Sequence, residues 1–275
     1  MPLRRDRLRH EDTGFLVGSG LVLLLGTLLL FYTAGRFWAV FWLGFGSAVL
    51  MLVEIRRHHR RMQAAHEQLL EAVQALGSLQ MRLPLRRSLP PLSGWGASPQ
   101  LAATLADLVA ERRPLVVVEL GSGVSTLVLG YALEAAGAGR VLSLDHDAAF
   151  AARTRTEVTR HGLADRIEVL DAPLVTHPSQ GWRWYDLTAL DARLGGAPID
   201  LVVVDGPPRQ TAPNARYPAF SLLARHLAPE AVLVADDAAR PEMQAAIAAW
   251  AREGDFDVET VPSPKGIVVL RRRGR

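Results

Sequence analysis

Two groups of residues in this chain have the types and spacing to do chemistry. The first is Glu119-Leu120-Gly121-Ser122-Gly123-Val124-Ser125-Thr126, with Asp145 lying 22 residues beyond Gly123 and Asp171 further on. Glycines separated by one residue let backbone approach a ligand, and a helix beginning there offers unpaired N–H groups. An acid at the distance of Asp145 suits ribose hydroxyls, although it can equally cap a following helix. No Gly-Lys-Ser/Thr follows, so this is not a phosphate loop. Thr126 also stands where a dinucleotide fingerprint has its third glycine. The second group is Asp205 with Asp236 and Asp237. Carboxylates are hard oxygen ligands suited to Mg²⁺ or another divalent ion, and Asp205 is the candidate catalytic residue. Two competing readings stand beside the ion. Asp205 can shape a loop while Asp236 and Asp237 cap the helix near Pro241, or Arg209 and Arg240 can pair with the acids. His146, His177 and Tyr185 are candidate proton acceptors or packing residues, and Trp182 and Trp184 line a pocket or pack the surface.

The elements that must position these residues alternate between strand and helix. Apolar runs at Leu115–Leu120, Arg140–Leu144, Ile167–Leu170, Ile199–Val204 and Ala231–Ala235 read as strands. Helical stretches fall near Ser125–Ala136, Ala148–His161, Ala219–Leu227 and Pro241–Arg252. Continuous apolar strands such as residues 201–204 belong in a parallel sheet covered on both faces. The terminal pair Phe256–Val261 and Ile267–Arg271, joined by Pro-Ser-Pro-Lys-Gly, reads as a hairpin that brings in one antiparallel strand. Both acid groups then fall at the carboxyl ends of strands, where open α/β sheets bind ligands.

Taken together, Glu119-x-Gly121-x-Gly123, Asp145, Asp171 and the terminal hairpin resemble class I S-adenosylmethionine-dependent methyltransferases, over roughly residues 90–271. Gly94-Trp95, Ser98-Pro99, Trp184-Tyr185-Asp186 and Asp205-Gly206-Pro207-Pro208 look like a bacterial branch with an O-methyltransferase-like core. The resemblance implies a Rossmann-like seven-stranded α/β sheet, mostly parallel with one antiparallel strand, and S-adenosylmethionine as cofactor. It assigns Glu119, Gly121, Gly123 and Ser125 to the loop facing the methionine part, Asp145 to the ribose and Asp171 to the adenine region. The three aspartates look like the metal site of catechol O-methyltransferase-type enzymes, which use an Asp and then an Asp-Asn pair. Here Asp237 replaces the Asn, and Gly206-Pro207-Pro208-Arg209 replaces the segment that carries a lysine base. Arginine stays protonated and is a poor base.

Composition frames the rest. The 275 residues include no cysteine, which excludes disulfides, thiolate metal sites and a cysteine nucleophile. Residues 1–87 carry a net charge of +6 and residues 88–275 carry −3, so the basic excess lies away from the candidate site. That argues against nucleic acid as a partner and for a basic segment near a membrane. Two uncharged or nearly uncharged stretches, 15–32 and 37–55, are each close to bilayer length and predict a two-helix transmembrane hairpin in residues 1–57. Arg4, Arg5, Arg7 and Arg9 precede it and Arg56, Arg57, Arg60 and Arg61 follow it, whereas the turn holds only Arg36. By the positive-inside rule both termini and the catalytic domain face the cytoplasm. Residues 58–99 read as a juxtamembrane helix and linker before a domain at 100–275. Within that helix Met62, Ala65, Leu69, Ala72, Leu76, Leu79 and Leu83 follow a heptad, which serves either a homodimer or packing on the chain's own domain.

The expected function is membrane-anchored methyl transfer to a small-molecule, glycan or lipid-linked acceptor, with membrane lipid as a partner. A nicotinamide-dependent oxidoreductase and a non-catalytic membrane scaffold are the alternatives.

Overall fold

The computed structural model describes residues 18, 20–29, 31–33, 35–92, 96–177 and 181–273. The N-terminal arginines, residues 15–17 and the Gly94-Trp95 pair lie outside them. Two compact units meet at Leu69/Leu70.

In the first unit, helix α1 (Gly20–Thr33) is followed after Gly35 by α2 (Arg36–Arg82). Small residues set the approach of the two helices. A Cβ on Gly46 would collide with Leu23, and one on Gly26 would collide with Trp42. Thr27 and Thr33 donate their hydroxyls to the carbonyls of Leu23 and Leu29, so neither needs an outside partner. α2 holds an 18-residue window with mean hydropathy 1.8, of which 6% is buried, long and apolar enough to cross a membrane. α1 is shorter, so a two-span hairpin rests on composition and not on the length of both helices.

The second unit is built on a seven-stranded sheet. Its strands are β1 (Val116–Leu120), β2 (Arg140–Asp145), β3 (Ile167–Asp171), β6 (Ile199–Val204), β7 (Leu227–Asp236), β8 (Phe256–Val261) and β9 (Ile267–Arg272). The order is β3-β2-β1-β6-β7-β9-β8, with β9 antiparallel to both its neighbours and the rest parallel. This is the expected sheet. A separate two-stranded hairpin, β4 (Leu174–Thr176) and β5 (Arg183–Tyr185), occupies the Trp-rich stretch that had no assigned structure.

Alternation along the strands divides the core. Val116, Val118 and Leu120 face one layer with Trp184, Leu190, Phe220 and Trp250. Val117 and Val203 face the other, with Leu105, Val109, Leu129 and Leu133. The first layer is roofed by α6 (Thr188–Leu194), α7 (Pro218–Leu223) and α8 (Pro241–Glu253), the second by α3 (Pro99–Arg112), α4 (Val124–Ala136) and α5 (Ala148–Arg160). Helix α3 was not anticipated, although Ser98 caps it by accepting from Leu101 N and Pro99 opens it. Leu79, Leu83 and Ala97 join this second layer, so core begins well before residue 100 and the expected boundary moves N-terminally. The heptad divides accordingly. Leu79 and Leu83 are buried, while Met62, Ala65 and Leu69 stay exposed.

Register brings the strand ends level. Leu120 pairs with Leu144 and Val204, Val204 with Ala235, and Asp145 with Asp171. The residues that follow therefore share one edge.

Candidate active site

The β1–α4 turn is held by donors that carry no charge. Gly121 has φ +97°, and a Cβ there would sit 3.2 Å from Gly206 N, so both the conformation and the close approach call for glycine. Asp145, almost fully buried, reaches across from β2. Its Oδ2 accepts from Ser122 N at 3.1 Å and Ser122 Oγ at 2.6 Å, and its Oδ1 accepts from Asp147 N at 3.0 Å. The cap of α5 is Asp147, not Asp145. A carboxylate offers about four lone-pair sites, and three of these are taken here. The fourth leaves Asp145 able to accept one more donor from a ligand.

Glu119 lies beneath the loop, fully buried. Its Oε2 accepts from Thr126 Oγ1 at 2.5 Å and Ser143 Oγ at 2.6 Å, while Oε1 has no partner among the described residues. Burial pushes the carboxyl up to about 7, against the hydrogen bonds from Ser143 and Thr126 that favour the ionised form. Thr126 Oγ1 also accepts from Gly123 N at 2.9 Å. The threonine at the third glycine position thus ties Gly123 to Glu119. A Cβ on Gly123 would meet nothing, so open space lies beside the loop at the N-terminus of α4. Asp171, in contrast, is exposed and pairs with Arg155 at 2.8 Å. Ser125 is buried at the start of α4.

At the β6–β7 edge, oxygen atoms of Asp205, Asp236 and Asp237 lie within 4.8 Å of one another. The expected convergence occurs, and so does the expected competition for it. Arg216, buried in the loop after β6, places Nη2 at 3.1 Å from both Asp205 Oδ1 and Asp237 Oδ2. Its Nη1 donates to the Asp236 carbonyl at 3.0 Å, and Nη2 donates to the Asp205 carbonyl. Arg240 pairs with Asp237 Oδ2 at 3.0 Å. Of the two arginines proposed as competitors, Arg240 takes part, and the chief partner is Arg216, which no motif signalled. Neither Asp236 nor Asp237 caps α8, whose cap residue is Arg240 with no side-chain bond. Asp237 has φ +59°, a region that Asp and Asn enter more readily than other side chains. Both side-chain oxygens of Asp236 are buried without a hydrogen-bond partner among the described residues. Burial raises the Asp236 carboxyl, and pushes that of Asp205 up to about 8 despite Arg216. Lys265, on the β8–β9 turn, pulls both of them down. A divalent ion does not fit this arrangement: a guanidinium already lies between two of its three ligands, and like charges repel there.

Between the two edges sits Tyr185. Its hydroxyl is buried against Gly206, has no hydrogen-bond partner among the described residues, and is pushed up by burial and by Asp145. His177 Nε2 lies 2.9 Å from the Tyr185 carbonyl, and Trp184 is buried in the core and packs there. Trp182 stacks edge-on with Tyr217. His146 lies beside Asp145, with Nδ1 3.5 Å from Oδ1.

Residues 118–238, from β1 to just beyond β7, match the family model described as a methyltransferase domain. That segment is similar to a methyltransferase domain. The chain's fold is shared with an SAH-bound methyltransferase of Podospora anserina, 16% identical, with a TM-score of 0.51 over 74% of this chain and 87% of that one. A methyltransferase of Geobacter sulfurreducens is 22% identical, with a TM-score of 0.51 over 78% and 98% of the two chains. No curated protein sequence matches the chain. The matched segment contains both acid clusters, the Gly121–Gly123 turn and Arg216.

Proposed function

We propose that this chain is an S-adenosylmethionine-dependent O-methyltransferase anchored in a membrane by its first unit. The single observation that carries the cofactor is the Gly121–Gly123 turn. It is fastened from below by Asp145 and Glu119, and it opens onto free space at a helix N-terminus. In this reading the turn and Ser125 face the methionine part, the remaining acceptor site of Asp145 takes a ribose hydroxyl, and Asp171 borders the adenine. When bound, S-adenosylmethionine supplies a methyl group on a positively charged sulfur. The chain's own work is to align that methyl with the acceptor and to exclude water. Asp205 borders the acceptor side and is placed to orient a hydroxyl.

The membrane half of the proposal rests on α2, whose apolar window is little buried, and on Leu25, Phe41 and Leu52, which are exposed. Such a surface is costly in water and at ease in lipid. α1 then forms a second span, and the basic residues flanking the pair keep both termini and the methyltransferase domain cytoplasmic. The acceptor is a small molecule or a glycan or lipid-linked compound, and the exposed heptad positions Met62, Ala65 and Leu69 offer a face to a second copy.

Calorimetric titration of S-adenosylmethionine and of NADH into the full chain in detergent tests the cofactor. The expected result is saturable binding of the first and none of the second. NADH binding alone would favour the oxidoreductase, and binding of neither would favour a scaffold.

A further inference from the structure

We infer that Arg216 is the resident cation of the Asp205–Asp236–Asp237 cluster and holds the place that a divalent ion would take. The spacing of the acids is that of an ion site. Oxygens bound to a Ca²⁺-sized ion at about 2.3–2.6 Å lie no more than about 5 Å apart, and these three carboxylates fall within 4.8 Å. Arg216 meets all three residues at once, through the carboxylates of Asp205 and Asp237 and the carbonyls of Asp205 and Asp236. Arg240 pairs with Asp237 from the start of α8, and Lys265 acts on Asp205 and Asp236 from the β8–β9 turn.

A guanidinium is also the cation best suited to replace an ion here. It stays charged across the working pH range and its planar fork engages two carboxylates at fixed geometry. Arg216 further lines a pocket of about 280 Å³ together with Arg209, Asn214, Arg240 and Met243. The cation held by the aspartates therefore also borders this pocket. As a statement about methyl transfer this rests on the proposed function; as a statement about ion binding it does not.

The experiment is a Mn²⁺ titration of the full chain in detergent, with free ion followed by electron paramagnetic resonance and S-adenosylmethionine binding measured on the same samples. Wild type and Arg216→Lys should take up no Mn²⁺ at this site at millimolar concentration. Arg216→Ala should gain one ion per chain, and Arg216→Ala combined with Asp236→Asn should lose it again. Uptake of an ion by wild type that Asp236→Asn abolishes would overturn the inference, as would a folded Arg216→Ala that binds none. Should Arg216→Ala not fold, the wild-type arm decides alone: uptake overturns the inference and its absence supports it. Failure of S-adenosylmethionine to bind would sink the cofactor reading and leave the Mn²⁺ result standing.

Discussion

On the β1–β2 side of the sheet edge, Asp145 and one oxygen of Glu119 are held by hydroxyls and backbone amides. On the β6–β7 side, Asp205 and Asp237 are satisfied by the guanidinium groups of Arg216 and Arg240. Both clusters are buried acids on one sheet, a few strands apart, yet their partners differ in kind. Neutral donors leave a carboxylate its charge and part of its accepting capacity, which suits a site that must hold the hydroxyls of a ligand. Cationic donors cancel the charge and fix the loop, which suits a site that must keep its shape and present positive charge to an acceptor.

The arginine side should be the more fragile. Removing one partner of a buried ion pair leaves an uncompensated charge, at a cost of about 3–5 kcal/mol. Arg216→Met should therefore lower stability by that amount in urea melts followed by tryptophan fluorescence. A loss under 1 kcal/mol, on the order of an exposed pair, would mean that Arg216 is not the main partner of the aspartates.

The hydroxyl side should reveal itself through pH. Glu119 is held at about 7 in the folded chain, above its usual value of 4.5, so the folded state holds this proton more tightly than the unfolded one. Its contribution is complete below about 4.5 and is lost as pH rises through 7, for a total of about 3 kcal/mol. Glu119→Gln should flatten that part of the stability profile. An unchanged slope would show that the hydroxyls of Thr126 and Ser143 hold Glu119 ionised throughout. A smaller effect is expected at the turn itself. Gly121→Ala forces a side chain into φ +97° against Gly206 and should cost about 1–3 kcal/mol. It should also weaken S-adenosylmethionine binding, which a calorimetric titration reads directly.

The contrast also marks what was legible in the sequence. Period and glycine spacing placed the β1–α4 turn, Asp145 and nearly every strand within a residue or two, because local chemistry dictates them. The convergence of Asp205, Asp236 and Asp237 followed from topology, since adjacent parallel strands end side by side. What occupies the space between them did not follow. Arg216 lies in an irregular segment of prolines and turns, and only the fold brings it back across the strand ends. Helix α3 carried its own signal in Ser98-Pro99 and the spacing of Leu101, Leu105, Leu108 and Val109, which went unread. The β4–β5 hairpin gave none, because three-residue strands are too short to show a period. Asp171 ends β3 where the family pattern has an acid, while its exposure and its pairing with Arg155 lie beyond sequence.

One measurement separates the two sides most directly: the affinity of the full chain for S-adenosylhomocysteine in wild type, Asp145→Asn and Asp237→Asn. Asp145 fastens the turn and, in the proposed function, accepts from the ligand, so Asp145→Asn should weaken binding by roughly tenfold or more, about 1.4 kcal/mol. Asp237 belongs to the arginine-held cluster, so Asp237→Asn should leave the affinity within about twofold, under 0.5 kcal/mol. An Asp145→Asn protein that binds like wild type, or a loss confined to Asp237→Asn, would contradict the assignment of the cofactor to the β1–β2 edge.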